Sequence, residues 1–485
     1  MSQILGNLYI GDTHDARSLK DRSKWIVVTC AIELTDIDHD LKLDLYDGEQ
    51  KISIDEVIQL YNNTADFIQD ALSRSVNVLV HCVAGVSRSP SVVLFYLMKY
   101  KKLSFGGALE LVTTVRPLVN INKYFVSLLK QVDDIINATD ENIIKKNLIT
   151  RNLQEVIGEH HILKILSKRP FKIYWGTAPT GRVHIGYFTP LLKILDFLKA
   201  GCEVTILLAD LHAVLDNLKS TAELVNFRTD YYETIIKLIL KRLGGDLTLL
   251  KFVRGKSFQL TPDYTLAMYT AHTMLSIHGA KHAGADVVKQ SDDPMMAGLL
   301  YPTLQALDEV YLGVDAQLGG IDQRKIFVHA REILPKINLT GAKVHLMNPM
   351  VPALSKIKCE AGKMSASDTS KIDILDSMTD IKKKVNSAYC LEGDLDGNTP
   401  ILLVKHMVFP ILAEFNQGLV IKRADKYGGD ITYNTFTELE TDFTTKQLHP
   451  GDLKKAIVDF LQSLLKPIQE EFAVISGDLL KKAYP

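Results

Sequence analysis

The sequence predicts an α/β protein in three parts: an N-terminal α/β unit built around a cysteine loop, a Rossmann-like doubly wound parallel-sheet domain, and an α-helical end. Three observations predict it. Short β-branched apolar runs alternate with stretches of helical periodicity through most of the chain. That βα rhythm is the mark of parallel sheets with helices on both faces, and it stops after KMSAS, residues 363–367. At 485 residues the chain is long enough for about three domains of roughly 150 residues each.

The elements follow in order. WIVVTC (25–30) and VNVLVHC (76–82) read as buried strands, and IDEVIQLYNNTADFIQDAL (54–72) carries apolar residues at helical spacing. SPSVVLFYLMKYKKL (89–103) and YFVSLLKQVDDII (124–136) complete a first domain over residues 1–136. NATDENIIKKN (137–147) lacks a core-forming pattern while both flanks have one, which makes it the expected linker. From 148 to 362 the strands KIYWGTA, EVTILLAD and LKFVRG alternate with helical stretches. The loop KMSASDTS spans 363–370, and 371–485 reads as mainly helical through TPILLVKHMVFPILAEF and HPGDLKKAIVDFLQSLLKPIQEEF.

Composition narrows the function classes. With 56 Lys and Arg against 57 Asp and Glu, the chain cannot hold nucleic acid by bulk charge, so such contacts must use local patches. The five cysteines are scattered and never closely paired, which points to a reducing cytoplasmic setting without structural zinc or disulfides. No window approaches the ~18 uninterrupted apolar residues of a membrane span, so no membrane association is expected.

Between the strand VNVLV and the helix SPSVVLFYLM stands HCVAGVSRS, residues 81–89. A cysteine, five residues and an arginine let a loop curl around one tetrahedral anion, with backbone N–H groups and a helix start turned inward. Cys82 is the candidate nucleophile. Arg88 can hold two phosphoryl oxygens, and its positive field favours the thiolate. His81 orients the loop, Gly85 permits close backbone approach, and Val83, Ala84, Val86 and Ser87 supply the remaining amides. Ser89 can hydrogen-bond the sulfur and make it a better leaving group. The opening ILGNLYIGD, this loop and RPLVNINKYF together resemble the dual-specificity protein phosphatases across the whole first domain. The resemblance implies hydrolysis of a phosphoprotein through a phosphocysteine, without a cofactor or metal. It also implies an acid on a separate loop; in LDLYDGEQ that is Asp47, with Asp44 as the alternative. A phospho-binding module and an RNA 5′-phosphatase remain open readings of the same loop.

The second chemistry begins at KIYWGTAPTGRVHIGYF (172–188), where a strand and a Gly/Pro/Thr turn place HIGY at a helix start, a position where backbone donors and a histidine can meet a triphosphate. A lysine loop, GKMSAS, follows downstream and can neutralise a pentacovalent phosphate and its pyrophosphate leaving group. In YPTLQALDE, Tyr301, Gln305 and Asp308 fall at i, i+4 and i+7 on one helical face, and Tyr174 and Gln323 can join them around an amino acid with a polar tip. The motif pair is similar to class I aminoacyl-tRNA synthetases. With RNLQEVIG, DFLKAGCEVTILLADLHA, DAQLGGIDQRKIF, VHLMNPMVP and HPGDLK it resembles the tyrosyl-tRNA synthetases of the eukaryotic and archaeal type over residues 148–485. The resemblance implies ATP, with Mg²⁺, and L-tyrosine as substrates, tRNA-Tyr as partner, and a homodimer. It implies that Tyr174 and Asp308 hold the phenolic OH while Tyr301, Gln305 and Gln323 hold the ammonium group. Gly176, His184, Gly186, Asp322, Lys363, Met364 and Ser365 would bind ATP, with His184 and Lys363 acting in catalysis. Tyr427 would stack on an anticodon base whose edge His449 and Asp452 contact, although HPGD also suits a helix N-cap. Two positions depart from the common motifs: Tyr187 replaces the last His of the first, and Ala366 stands where many relatives carry a second lysine.

Overall fold

The computed structural model describes residues 1–136, 138–215, 221–287, 295–350, 354 and 371–485. It divides the chain into two compact units, Met1–Ile143 and Ile144–Pro485.

The first unit is built on a five-stranded sheet. Its strands are β1 (Ser2–Leu5), β2 (Leu8–Gly11), β3 (Trp25–Thr29), β4 (Leu41–Lys42) and β5 (Asn77–His81), in the order β1-β2-β5-β3-β4. β1 and β2 form an antiparallel pair, and every other pairing is parallel. β5 is therefore central, flanked by β2 and β3, which explains why Val78, Leu79 and Val80 are fully buried. The helix Arg88–Lys101 leaves directly from its end and is buried from Arg88 through Met98. It has no polar face because the sheet and the helices Ile54–Ser73 and Lys123–Ile136 surround it. Even its Ser91 is matched, at 2.7 Å from the buried Tyr61 hydroxyl.

The second unit carries a six-stranded sheet. β6 (Glu155–Ile157), β7 (Lys172–Thr177), β8 (Glu203–Leu208), β9 (Leu250–Arg254), β10 (Ala316–Gly320) and β11 (Val344–Asn348) lie in the order β6-β11-β10-β7-β8-β9. All are parallel except the edge strand β6. The chain runs outward from β7 through β8 to β9, then returns to β7's other side with β10. This makes the β7/β10 boundary a topological switch point, and a crevice opens outside the carboxyl ends of the strands there. The helices Thr399–Leu403, Phe409–Glu414 and Pro450–Ser476 supply much of the C-terminal part, joined by a small antiparallel pair, Leu419–Ile421 with Ile431–Tyr433.

Sequence and structure differ at three places. The segment expected as a linker lacks a core pattern, yet Asp140–Thr150 is helical: Thr139 Oγ accepts from the Asn142 amide at 3.2 Å and Asp140 and Glu141 sit in the first turn, so capping and the helix dipole stabilise what hydrophobicity does not. Strands β10 and β11 have no plain apolar signature because Gln317, Gly319, Gly320 and His345 interrupt them. TPILLVKHMVFPILAEF is one helical run in sequence but contains a π-helical turn at Val404–Val408, just before Pro410, where a wider turn accommodates a residue that cannot donate.

Candidate active sites

Cys82 is the first residue beyond β5, buried at the mouth of a loop whose carbonyls are all tied from outside. Val83 O accepts from the Thr13 amide and hydroxyl at 3.1 and 2.9 Å, Ala84 O and Gly85 O from the buried Arg116 guanidinium at 3.4 and 3.0 Å, and Val86 O from the Asn120 amide at 3.0 Å. In planar trans peptides the N–H points opposite to its C=O, so the amides of Ala84, Gly85, Val86 and Ser87 face the inside of the curl. Gly85 has φ +65°, and a Cβ there would lie 2.5 Å from Gly11 O and 2.6 Å from Arg116 Nη2, so only glycine fits. Arg116 stands in RPLVNINKYF, but its bracing role was hidden because its partners lie some thirty residues away.

The remaining members converge on this loop. Ser89 Oγ donates to Cys82 Sγ at 3.3 Å. His81 is fully buried with Nε2 2.8 Å from Thr29 Oγ1, and burial holds its pKa below the ordinary value, so the ring is a neutral strut. Arg88 Nη1 donates to Glu33 at 2.7 Å and to Leu45 O at 3.3 Å, while its buried Nε has no partner among the described residues. Burial works against the charge of Arg88, but Glu33, Cys82 and Asp47 hold its pKa above the ordinary value. Asp47 is fixed by Asn122, whose Nδ2 donates to it at 2.7 Å while the Asn122 amide donates to Ser87 Oγ at 3.2 Å. One residue thus ties Asp47 to the loop. Asp44 has no such tie and pairs with Lys42 at 2.9 Å.

In the second unit the crevice gathers side chains from the ends of four strands. Asp308, on the helix Met296–Tyr311, is 1% exposed. Its Oδ1 accepts from Gln259 Nε2 at 2.8 Å and from Tyr264 OH at 2.9 Å. Its Oδ2 has no hydrogen-bond partner among the described residues; His212 Nε2 stands 3.9 Å away, also without one. Burial pushes the Asp308 carboxyl up to about 7 against the lowering pull of Gln259 and Tyr264, and pushes His212 down to about 4. Burial thus disfavours the charged form of both groups. Tyr301 meets the His212 ring edge-on at 4.7 Å. Tyr174 OH donates to Gln305 O at 3.3 Å, and Gln305 Nε2 donates to Gln323 Oε1 at 2.8 Å. Of the five side chains read from the sequence as amino-acid ligands, Tyr174, Gln305 and Gln323 are thus linked by hydrogen bonds, and Tyr301 and Asp308 both face His212. Gln259, Tyr264 and His212 were not among them.

The residues expected from the sequence to meet ATP lie across the switch point. His184 and Gly186 follow β7, on a 3-10 turn at Ile185–Tyr187, while Asp322 and Gln323 follow β10 on a matching turn. A Cβ on Gly320 would lie 2.3 Å from Asp322 Oδ1 and one on Gly319 2.7 Å from Gln323 Oε1, so both glycines admit those side chains against the backbone. A Cβ on Gly176 would meet only ordinary contacts, 3.6 Å or more away; packing does not demand glycine there. Tyr187 OH lies 3.1 Å from Thr177 Oγ1 and donates to Tyr232 OH at 3.3 Å, so the departure from histidine braces the turn. Lys363, Met364 and Ser365 lie outside the described residues. The chain returns beside the HIGY turn, where the Ile185 amide donates to Ile372 O at 2.9 Å and the Ile374 amide to Val183 O at 3.0 Å. Farther along, Tyr427 is exposed on a short turn, with Lys426 Nζ 4.8 Å from its ring centroid. His449 caps the Pro450–Ser476 helix, its Nδ1 accepting from the Gly451 amide at 3.0 Å, with Asp452 in the first turn. Arg423 links the two places, bonding Gly429 O at 3.0 Å and Gln447 O at 3.3 Å. Among the described residues no group of three or more His, Cys, Asp or Glu side chains gathers as a metal site, and no helix is long and apolar enough to cross a membrane.

Comparison with known proteins gives two family matches. Residues 166–466 match the class I tRNA synthetases (W and Y), and residues 14–135 match the dual specificity phosphatase catalytic domain. The cytoplasmic tyrosine–tRNA ligase of Xenopus tropicalis is 52% identical over 328 residues, covering 68% of this chain and 60% of that protein. The Saccharomyces cerevisiae cytoplasmic enzyme is 51% identical over 334 residues, covering 67% of this chain and 83% of its own length. The chain thus spans 60–63% of the length of the vertebrate relatives. The crystal structure of tyrosyl-tRNA synthetase from Archaeoglobus fulgidus, complexed with L-tyrosine, superposes with a TM-score of 0.61 at 35% identity, covering 67% of this chain and 98% of that one.

A raised carboxyl pKa has a sign that stability measurements can read. Because folded Asp308 titrates near 7 rather than 3.8, the native state holds its proton more tightly than the unfolded chain, and that contribution fades as pH rises from about 4 through about 7. Asp308→Asn removes the titration. Relative to wild type, the variant should therefore gain roughly 2–3 kcal/mol of stability between pH 5 and pH 8, at about 1.4 kcal/mol per pH unit up to the folded pKa. Urea unfolding of both proteins at each pH checks this; parallel pH profiles would contradict it.

Proposed function

We propose, for a chain that belongs to the class I tRNA synthetases of the tryptophan and tyrosine branch, that its second unit is a cytoplasmic tyrosine–tRNA ligase and its first a phosphoprotein phosphatase. The observation that carries the ligase reading is Asp308. A buried carboxylate with one oxygen accepting two hydrogen bonds and the other without a hydrogen-bond partner among the described residues is an acceptor suited to a hydroxyl, and the phenolic OH of tyrosine is such a donor.

The ligase works in two transfers. The tyrosine carboxylate attacks the α-phosphorus of ATP and pyrophosphate leaves; a ribose hydroxyl at the 3′ end of tRNA-Tyr then attacks the carbonyl and AMP leaves. Tyr174 and Asp308 hold the phenol, while Tyr301, Gln305 and Gln323 orient the ammonium group. Asp322 takes the ribose hydroxyls, Gly176 and Gly186 let backbone approach the nucleotide, and His184 donates to the phosphates. Mg²⁺ arrives on the phosphates of ATP. Met364 and Ser365 join Lys363 in binding ATP, and the Lys363 charge neutralises the leaving pyrophosphate, since the chain after that loop returns to the HIGY turn. Residues 371–485 read the anticodon, Tyr427 by stacking and His449 and Asp452 by contacts to a base edge.

In the first unit Cys82 attacks phosphorus, Asp47 protonates the leaving oxygen, and Arg88 with the inward amides holds the transferred phosphoryl group. Ser89 steadies the sulfur as water then releases phosphate. Asp47 is preferred to Asp44 because Asn122 ties it to the loop. Cys82→Ser should abolish aryl phosphate hydrolysis and leave tyrosine-dependent pyrophosphate exchange unchanged. Asp47→Asn should slow hydrolysis by roughly 10²-fold or more, and least for leaving groups that need no proton. A larger loss with Asp44→Asn would move the role of acid.

Leu266 and Tyr269 on the helix Pro262–Thr273, Ile277 on the next helix, and Met295 with Met296 at the start of Met296–Tyr311 are each more than 60% exposed. The first two helices both pack against Met296–Tyr311; exposed apolar side chains on neighbouring elements mark an interface when they form one patch, and the partner we infer is a second copy of the chain. Equilibrium sedimentation should return a dimer that Ile277→Glu dissociates; a monomeric wild type at micromolar concentration overturns this.

The substrate assignment is tested by pyrophosphate exchange with tyrosine, phenylalanine and tryptophan in parallel. Wild type should favour tyrosine over phenylalanine in kcat/KM by about 10⁴–10⁵, the scale on which tyrosyl-tRNA synthetases as a class reject phenylalanine rather than a figure derived from this geometry. Asp308→Ala should collapse the preference mainly through poorer use of tyrosine, because only tyrosine makes the bond. Activity with tryptophan but not tyrosine would refute the reading.

A further inference from the structure

Residues 371–376 read KIDILD and join the lysine loop to the helix Met378–Ser387 without forming a helix or strand of their own. The segment runs along the entry to the HIGY turn. The Ile185 amide donates to Ile372 O at 2.9 Å, the Ile374 amide donates to Val183 O at 3.0 Å, and His184 and Asp373 face each other as an isolated antiparallel bridge. Ile372 and Ile374 are fully buried. In such a stretch each backbone group needs a partner from the protein, and no ladder or helix of the segment's own supplies one.

The missing partners come from further along the chain. Lys371 O accepts from Lys384 Nζ at 2.7 Å, and the same ammonium donates to Asp376 Oδ2 at 2.6 Å. The carbonyls of Ile374 and Asp376 both accept from Gln469 Nε2, at 2.8 and 3.0 Å. One amide group therefore closes the end of the segment. Gln469 stands on Pro450–Ser476, the helix whose start carries His449 and Asp452, and a rise of 1.5 Å per residue puts it about 30 Å from His449. The contact thus comes from the part of the chain read as the anticodon reader, yet it falls beside the HIGY turn, and no step of the proposed reaction uses it.

We propose that Gln469 is a positioning residue for adenylate formation: by holding the carbonyls of Ile374 and Asp376 it fixes residues 371–376 against the HIGY turn, and with them the downstream end of the loop that carries Lys363. The inference rests on the ligase reading. Gln469 touches no substrate, and its effect is geometric. Without its donor two carbonyls are left unpaired in a largely buried place, a cost the segment escapes only by turning them towards water. That movement loosens the bond between the Ile374 amide and Val183 O, next to His184. Misplacing reacting or catalytic groups by about 1 Å can cost on the order of 10²-fold in rate, and groups that act on the leaving pyrophosphate are felt in the transition state more than in the ground state. Tyr174 and Asp308, proposed to hold the tyrosine phenol, stand on β7 and the helix Met296–Tyr311, away from the segment. Tyrosine affinity is therefore independent of Gln469.

Tyrosine-dependent pyrophosphate exchange in the full chain tests this, with equilibrium dialysis of labelled tyrosine in parallel. Gln469→Leu, which keeps the bulk and removes the donor, should lower kcat by about tenfold while the tyrosine KM and the dialysis Kd stay within about twofold of wild type. Gln469→Arg, which keeps N–H donors at that position, should return kcat to within about threefold of wild type. An unchanged kcat in Gln469→Leu would overturn the proposal. So would a loss of tyrosine affinity in step with kcat, which marks a general structural role, or an Arg variant as slow as the Leu one, which removes the donor from the account. If Gln469→Leu does not fold, Gln469→Glu, of the same length and without the donor, meets the same outcomes. A wild type with no tyrosine-dependent exchange would remove the ligase reading itself, whereas exchange that is present and indifferent to Gln469 removes this inference alone.

Discussion

Burying the Asp308 carboxylate is the constraint around which the second unit is arranged. An unpaired charge in an apolar interior costs several kcal/mol, and donors are brought to it from separate elements: Gln259 from the turn after β9 and Tyr264 from the next helix. His212, from the segment after β8, stands at 3.9 Å. Even so the group is only partly compensated, since burial outweighs both bonds and lifts its pKa to about 7. A carboxylate left short of one donor is a poor choice for stability and a good one for recognition, because a ligand hydroxyl supplies what the protein withholds.

A second constraint is shared by both units. Parallel strands end on the same edge of a sheet, and the turn from strand to helix presents backbone amides and the first helical side chains there. The first unit uses a single strand: Cys82 follows β5, with Arg88 opening the next helix. The second uses the boundary between β7 and β10, which places the HIGY turn and Asp322 on opposite sides of one crevice. In each case glycines stand where a Cβ would collide, Gly85 against Gly11 O and Gly320 against Asp322. The two chemistries differ, but the backbone solution is the same.

What the sequence could reveal followed from how local the information is. The cysteine loop was legible because strand, loop and helix are contiguous and the cradle is made by consecutive residues. The Tyr301, Gln305 and Asp308 face was legible because helical spacing is local. Arg116, Asn122, Gln259 and Tyr264 were not, because each bonds a partner brought near only by folding; Gln259 and Tyr264 lie 49 and 44 residues from Asp308. The tie that distinguishes Asp47 from Asp44 was hidden likewise, because it comes from Asn122, 75 residues from Asp47. β10 and β11 escaped a hydrophobic reading because Gln317 and His345 are buried within them, and His345 Nε2 meets Glu309 at 2.8 Å, 36 positions away.

The most direct test of the role given to Asp308 is the proton it should lose. Near pH 7 the free carboxyl is about half protonated, since it titrates at about 7; a phenolic hydroxyl donating to it stabilises the ionised form and lowers that pKa. Calorimetric titration with tyrosine in buffers of different ionisation enthalpy should therefore show release of about half a proton per site near pH 7, and none in Asp308→Asn. Tyrosine binding without proton release, or with equal release from the variant, would contradict the account.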